Sequence, residues 1–174
     1  MIKIIQSSHP DTGSTLLINL IHGFICPQEE IHCHTSATID KFLITKTHNT
    51  NITELEDKYP QYKLLFIMSE RNDSKIKAEI NNKYKKKSNV LVINYNKLLE
   101  TNNNSIKNII DYTFNEFNNF IPKELKPNKD DDLIKDDMTK RLNIVNKTVA
   151  LMKDKPFSEF DEFTHIHGHH RNRE

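Results

Sequence analysis

Glycine, cysteine and tryptophan are scarce in this sequence, which has three glycines, two cysteines and no tryptophan among 174 residues. Cys26 and Cys33 are too few to build a disulfide framework, and they do not form a CxxC pair. No apolar run is long enough to span a membrane, and the first residues, MIKII, lack the long apolar segment of a signal peptide. These absences predict a soluble, cytoplasmic protein without structural disulfides or a membrane partner.

Neither sign of charge is in excess, because 25 lysines and arginines stand against 24 aspartates and glutamates. Such a surface has no general attraction for nucleic acid or anionic membranes, so neither is expected as a partner. The abundance of Asn, Lys and Ile is typical of an AT-rich coding genome, a viral one included. Polar runs such as 101–105 therefore need no functional explanation.

The length suits one domain with a single hydrophobic core. We expect one domain over 1–174, with a core over about 1–122, a polar linker over 122–135, and a C-terminal helix and His-rich tail over 136–174. The linker carries two prolines and a DDD run, which is typical of a solvated segment that supplies a helix N-cap.

Short apolar runs alternate with helical patterns along the chain. The runs at 2–6, 41–48, 62–70 and 89–95 are apolar enough to predict strands buried on both faces, as in parallel sheets. Helices are predicted from Ser14, where apolar residues follow at helical spacing, and over 52–59, 73–86, 106–120 and 136–152. This alternation predicts an α/β protein, a three-layer α/β/α sandwich with a mostly parallel sheet.

The loop between the first strand and the first helix is a candidate anion site. Unpaired backbone N–H groups and the helix dipole favour negative charge there, and Ser14 and Thr15 add hydroxyl donors. Gly13 precedes them, whereas Gly23 is expected near the end of the helix. The ATPase form of the loop, GxxxxGK[ST], is absent, because no lysine follows Gly13.

Four segments together resemble the sulfotransferase family, which has a P-loop NTPase-like fold. HPDTGSTLLINLIHG is similar to the family loop that grips the 5′-phosphosulfate of PAPS, and KTH at 46–48 is similar to the motif that carries its catalytic His. FIMSERNDSKI is similar to the segment that opens the 3′-phosphate motif, and VLVINYNKLLE with SIKNIIDYTFNEF resembles the tyrosine-containing strand and the helix after it. The segments occur in family order over about 3–120.

The resemblance implies transfer of a sulfuryl group from PAPS to a hydroxyl or amine acceptor. His48 takes the acceptor proton and Lys46 stabilises charge on the bridging oxygen. The expected partners are thus a nucleotide-type sulfate donor, which leaves as PAP, and an acceptor that the sequence does not specify. No metal is expected. The implied donor-binding residues are Thr12, Gly13, Ser14, Thr15, Arg71 and Ser74.

Two positions depart from the family, and both remove favourable charge. Asp11 stands where the family loop carries Lys or Arg, and Glu79 stands where the family has a serine eight residues after its arginine, a hydroxyl that Ser69 or Ser74 could replace. Two alternatives therefore stay open. One is a catalytically degenerate protein that binds a nucleotide, an anion or a partner, and the other is an Mg-dependent P-loop phosphotransferase in which Asp11 or Asp73 helps to hold the metal.

Histidines crowd the C-terminal segment, THIHGHHRNR. Alternate histidines on a strand share one face and can chelate zinc or nickel. No carboxylate or cysteine ligand lies at a recognisable spacing, so we do not predict a metal site there. The histidines are His165, His167, His169 and His170.

Overall fold

The computed structural model describes residues 1–9, 13–29, 39–70, 83–84, 86–99 and 105–151. Within them lie four strands, β1 to β4, and four α-helices, α1 to α4. The strands are β1 (Ile2–Ser7), β2 (Ile44–Thr47), β3 (Lys63–Glu70) and β4 (Val90–Asn94). The helices are α1 (Ser14–Ile25), α2 (Ile52–Lys58), α3 (Ile106–Phe120) and α4 (Asp131–Leu151).

The four strands form one sheet in the order β2-β1-β3-β4, and every neighbouring pair is parallel. Ile4 pairs with Ile44 of β2 and with Leu65 of β3, which sets the register around the central strand. Ile4 and Ile5, which point to opposite faces, are both fully buried. The predicted α/β class and the parallel sheet with two buried faces are confirmed, whereas the three-layer arrangement stays a prediction.

The structure divides into two compact units, Met1–Ser14 with His34–Tyr112, and Thr15–Cys33 with Thr113–Glu174. The first unit contains the sheet and α2. Apolar side chains of α2 pack on the sheet face that carries Ile5, and this packing forms a core. Its buried members are Ile5, Ile39, Ile52, Leu55, Tyr59, Leu64, Phe66, Met68 and Tyr84.

The second unit holds α1, α4 and the C-terminal part of α3. Phe24 of α1 makes edge-on ring contacts with Phe114 and Phe117, at centroid distances of 5.4 and 5.6 Å. The aromatic spacing in α3 therefore serves packing. Gly23 lies near the end of α1, as expected, and it sits against α4, where an added Cβ would lie 3.1 Å from the Cα of Met138.

Two predicted boundaries differ from the structure by three or more residues. β2 begins at Ile44 rather than at 41, and just before it the Phe42 carbonyl accepts a hydrogen bond from Nζ of Lys3 (2.9 Å). α4 begins at Asp131, five residues before the expected start of the last helix at 136. The Asp130 side chain accepts a hydrogen bond from the Asp132 N–H (2.8 Å), so the DDD run does cap the helix but also enters it.

Three regions of the sequence predictions lie outside the described residues: most of the 73–86 helix, the His-rich tail, and the segment 30–38. Among the described helices, none combines the length and apolarity that a membrane crossing requires.

Candidate functional site

The carboxyl ends of β1, β2 and β3 lie side by side at one edge of the sheet. Because the strands are parallel, the loop after β1 and the motifs that end β2 and β3 share this edge. The register aligns Gln6 with Lys46 and Ser7 with Thr47. The chain leaves β1 for β2 on one side and returns to β3 on the other, which makes the β1–β3 junction a topological switch point, the usual ligand-binding position in such sheets.

Ser8 connects the ends of β1 and β3. Its Oγ accepts hydrogen bonds from Nε2 of Gln6 (2.6 Å) and from the Ser69 N–H (2.9 Å), and it also shares one with the Ser69 hydroxyl (2.9 Å). All three residues are fully buried. The start of the loop between β1 and α1 is therefore fixed to the neighbouring strand.

His48 lies directly beside this junction. Its Nδ1 is 2.9 Å from the carbonyl oxygen of Ser8. Because a carbonyl can only accept, Nδ1 carries the proton, and the neutral ring has its lone pair on Nε2. This is the tautomer that a general base requires. Nε2 is itself shielded from solvent, so an acceptor reaches it only when neighbouring side chains move.

A polar turn positions the residue after the candidate base. The Asn49 N–H donates to Oγ1 of Thr47 (3.0 Å), and the Asn49 carbonyl accepts from the Ser7 hydroxyl (2.7 Å). Asn51 then caps α2 by accepting from the Glu54 N–H (3.3 Å). The turn is thereby held to the ends of both β1 and β2. It fixes the backbone from which the His48 side chain extends.

Lys46 is buried, with 5% of its surface exposed. Side chains alternate between the two faces of a strand, and the register therefore places Lys46 on the same face as Gln6 and Ser8. Burial of a lysine is costly unless its charge is matched, and Lys46 does interact with other groups of the chain.

The loop returns to the sheet at Gly13, and α1 begins at the buried Ser14. Gly13 has φ of 76°, a conformation that glycine adopts without strain. The ring of Tyr95, which follows β4, occupies the space where a Cβ would lie, only 2.0 and 2.2 Å from two ring carbons. Tyr95 thus lies against the described end of the loop at Gly13.

Several predicted site residues are thus brought to one edge of the sheet. Lys46 and His48 border the start of the loop, and Gly13 and Ser14 form its end, whereas Thr15 belongs to the second unit. Three further predicted residues lie outside the described part of the chain, as do both departures from the family pattern. These are Thr12, Arg71 and Ser74, with Asp11 and Glu79.

The sequence reasoning missed three residues of this edge. Ser8 and Gln6 link the loop to β3, and Glu70 ends β3 as a buried carboxylate with 7% of its surface exposed. A polar residue at the end of an apolar run is the signal that could have found them. In the described residues no group of three or more His, Cys, Asp or Glu side chains is arranged to hold a metal ion.

A surface pocket of about 350 Å³ lies in the first unit. It contains none of the predicted site residues. One of its lining lysines, Lys87, is engaged in an ion pair with Glu56 at 2.9 Å. The lining residues are Thr50, Asn51, Thr53, Lys83, Tyr84 and Lys87.

Comparison of the chain with models of protein families, with curated proteins and with solved structures gave no match. The geometry at the carboxyl ends of β1, β2 and β3, and the motifs that meet there, are therefore the basis for assigning a function.

Proposed function

We propose that this protein is a divergent sulfotransferase that transfers a sulfuryl group from PAPS to a hydroxyl or amine acceptor. One observation carries the proposal: His48 donates from Nδ1 to the backbone at the start of the phosphate loop, on the strand next to that loop. The motif resemblance requires the KTH segment and the loop after β1 to lie next to each other. The order of the strands, which brings them together, is a separate observation from the motif sequences. Their contact supports the proposal for that reason.

The chemistry follows from the tautomer and the charges. Nε2 of His48 accepts the proton as the acceptor oxygen or nitrogen bonds to sulfur, and the bond from sulfur to the bridging phosphate oxygen breaks. Lys46 neutralises the charge that develops on that oxygen, and PAP leaves. The loop N–H groups and the Ser14 hydroxyl at the start of α1 hold the 5′-phosphate, and Arg71 binds the 3′-phosphate.

The first test is calorimetric titration of the full chain with PAP, alongside ATP with and without Mg²⁺. We expect PAP to bind in the micromolar range and Arg71→Ala to abolish this binding. Failure of PAP to bind even at millimolar concentration would end the proposal of sulfotransferase activity.

The variant His48→Asn separates catalysis from folding. The asparagine amide can still donate to the Ser8 carbonyl, but it has no basic nitrogen at the position of Nε2. We expect unchanged PAP affinity and thermal stability, with turnover lowered by about 10²–10⁴-fold against any acceptor found by screening. Unchanged turnover would remove His48 from the mechanism.

A non-catalytic binding protein is the second candidate, and a specific observation favours it. The basic nitrogen of His48 is enclosed, and the sequence has acidic residues at Asp11 and Glu79 where the family has a basic residue and a serine. Such a protein would bind a nucleotide, an anion or a partner without using a base. His48→Asn would then be silent in every functional assay.

A further inference from the structure

The surface pocket of the first unit lies between two segments that are distant in sequence. One wall comes from the turn before α2 and the first turn of that helix, and the other comes from the segment that precedes β4. At about 350 Å³ the pocket falls within the size range of small-molecule sites. The chemistry of its lining therefore indicates which kind of molecule would fit.

The lining is basic and rich in hydroxyl groups. Lys83 and Lys87 contribute two ammonium groups, Thr50, Thr53 and Tyr84 contribute hydroxyls, and no acidic side chain is among the described lining residues. An ammonium group only donates hydrogen bonds, and a hydroxyl can donate one as well. Such a lining suits an anion whose oxygens accept several hydrogen bonds, because bonds to a charged partner are the stronger ones.

Lys87 is held in position by contacts within the protein. Its Nζ donates to Oε2 of Glu56 at 2.9 Å, and Oε1 of Glu56 accepts from Nδ2 of Asn89 at 2.8 Å. Nδ2 of Asn89 also donates to the Leu64 carbonyl of β3 at 3.2 Å. An ammonium has three N–H groups, and the bond to Glu56 uses one of them. A ligand that binds the others loses less affinity to the ordering of a flexible side chain.

The opposite wall is also fixed by hydrogen bonds. The Asn51 N–H donates to Oδ1 of Asn49 at 2.8 Å, which shapes the turn around Thr50. The carboxylate of Glu54 accepts from the side-chain amides of Asn49 (3.2 Å) and Asn51 (3.4 Å). Glu54 and Glu56, the carboxylates next to the two walls, are thus hydrogen-bonded within the protein, whereas the lining presents donors.

We propose that this pocket binds the phosphate or sulfate group of a small monoester between Lys83 and Lys87. Both groups present tetrahedral, negatively charged oxygens, which ammonium and hydroxyl donors recognise. The five heavy atoms of a bare oxyanion, at about 30 Å³ each as for water, would fill less than half of the pocket, so an organic group has room beside them. The site contains none of the residues assigned to sulfuryl transfer, and it does not depend on that activity.

The test is calorimetric titration of the full chain with phenyl phosphate and phenyl sulfate, alongside inorganic phosphate and sulfate. We expect at least one ester to bind in the submillimolar range and more tightly than its inorganic anion. Lys83→Gln should weaken this binding by about tenfold or more, because a hydrogen bond from a charged group is lost. Lys86→Gln, at an exposed position outside the lining, makes the same charge change and should bind as wild type.

Glu56→Gln gives a prediction of opposite sign. The variant keeps the size of the side chain and an acceptor oxygen for Lys87, but it removes the negative charge that competes with the ligand. Affinity for the ester should therefore rise by about threefold, whereas Lys87→Gln should lower it. A gain in affinity cannot result from misfolding. Weaker ester binding by Glu56→Gln would contradict the assignment of Lys87.

The outcomes separate this site from the proposed function. Arg71→Ala should abolish PAP binding and leave ester binding intact, and Lys83→Gln should do the reverse. Ester binding that is lost in Arg71→Ala but retained in Lys83→Gln would assign the anion to the PAPS site and overturn the pocket. Ester binding that requires Lys83, without PAP binding, supports the pocket and ends the sulfotransferase proposal alone.

Two further results would also count against the pocket. Absence of ester binding at millimolar concentration overturns it, whatever PAP does. Equal affinity for an ester and its inorganic anion overturns the monoester as the ligand. Where the site is upheld, the tighter of the two phenyl esters identifies whether phosphate or sulfate is recognised.

Discussion

Replacing Gly13 by alanine should destabilise the end of the loop between β1 and α1 through two separable effects. At φ of 76° a residue with a Cβ costs about 1–2 kcal/mol relative to glycine. The new Cβ would also lie 2.0 Å from a ring carbon of Tyr95, far inside the ordinary contact distance of about 3.5–4.0 Å, so the ring or the loop must move. Overpacking of this kind costs about 1–3 kcal/mol. We therefore expect a loss of about 2–5 kcal/mol in the free energy of unfolding.

A double-mutant cycle with Tyr95→Ala separates the two effects. Without the ring, only the backbone strain should remain, and Gly13→Ala should then cost about 1–2 kcal/mol. Tyr95→Phe keeps the ring, so Gly13→Ala should cost as much in that background as in wild type. Urea unfolding followed by circular dichroism measures each corner of the cycle. An equal cost of Gly13→Ala in the wild-type and Tyr95→Ala backgrounds would refute the contact between ring and loop.

Two further substitutions test the polar contacts around the sheet. Ser8→Ala leaves two buried N–H donors without an acceptor and should lower the free energy of unfolding by about 2–4 kcal/mol. The neighbouring Ser7→Ala loses one hydrogen bond and should cost about 1 kcal/mol. Equal costs in urea unfolding would contradict the hydrogen bonds assigned to Ser8. Burial alone would raise the pKa of Glu56, but hydrogen bonds from Lys87 and Asn89 lower it overall. Because this pKa is depressed, Glu56 stabilises the folded state above the unfolded pKa of 4.5, and this stabilisation is lost as the pH falls through the folded pKa. Glu56→Gln should therefore lower the free energy of unfolding by less than about 1 kcal/mol at neutral pH and should have no effect in strong acid.

Much of the fold could be predicted because apolar runs mark buried strands. The limits of β1, β3 and β4 differ by about a residue from those expected, and α3 has the expected limits. β2 is shorter than its apolar run, and the Phe42 carbonyl just before it binds Lys3, a contact that only the folded sheet creates. α4 starts early because the acidic run that reads as linker also suits the positive end of a helix.

The site could be predicted only in part. Spacing identified the loop at Gly13 and the candidate base at His48, since both lie within recognisable motifs. The hydrogen bonds of Ser8 and the burial of Glu70 depend on which strand lies next to β1, and local sequence does not determine strand order. Gly23 lies near the end of α1 as expected, but the close approach of α4 at this glycine was not predicted. Tertiary packing, rather than local propensity, explains each of these differences.

The central place of β1 has a consequence for how the chain folds. Ile4 must find Ile44, and Ile2 must find Lys63, so neither ladder of the first strand can form from a local hairpin. Both pairings require closure of a long loop, which is typical of slow folding. During synthesis, β1 emerges before β2 and β3 and is enclosed only after β3 has emerged. β1 is thus exposed for longer than its two partner strands, for a time that depends on how fast the chain up to β3 is synthesised.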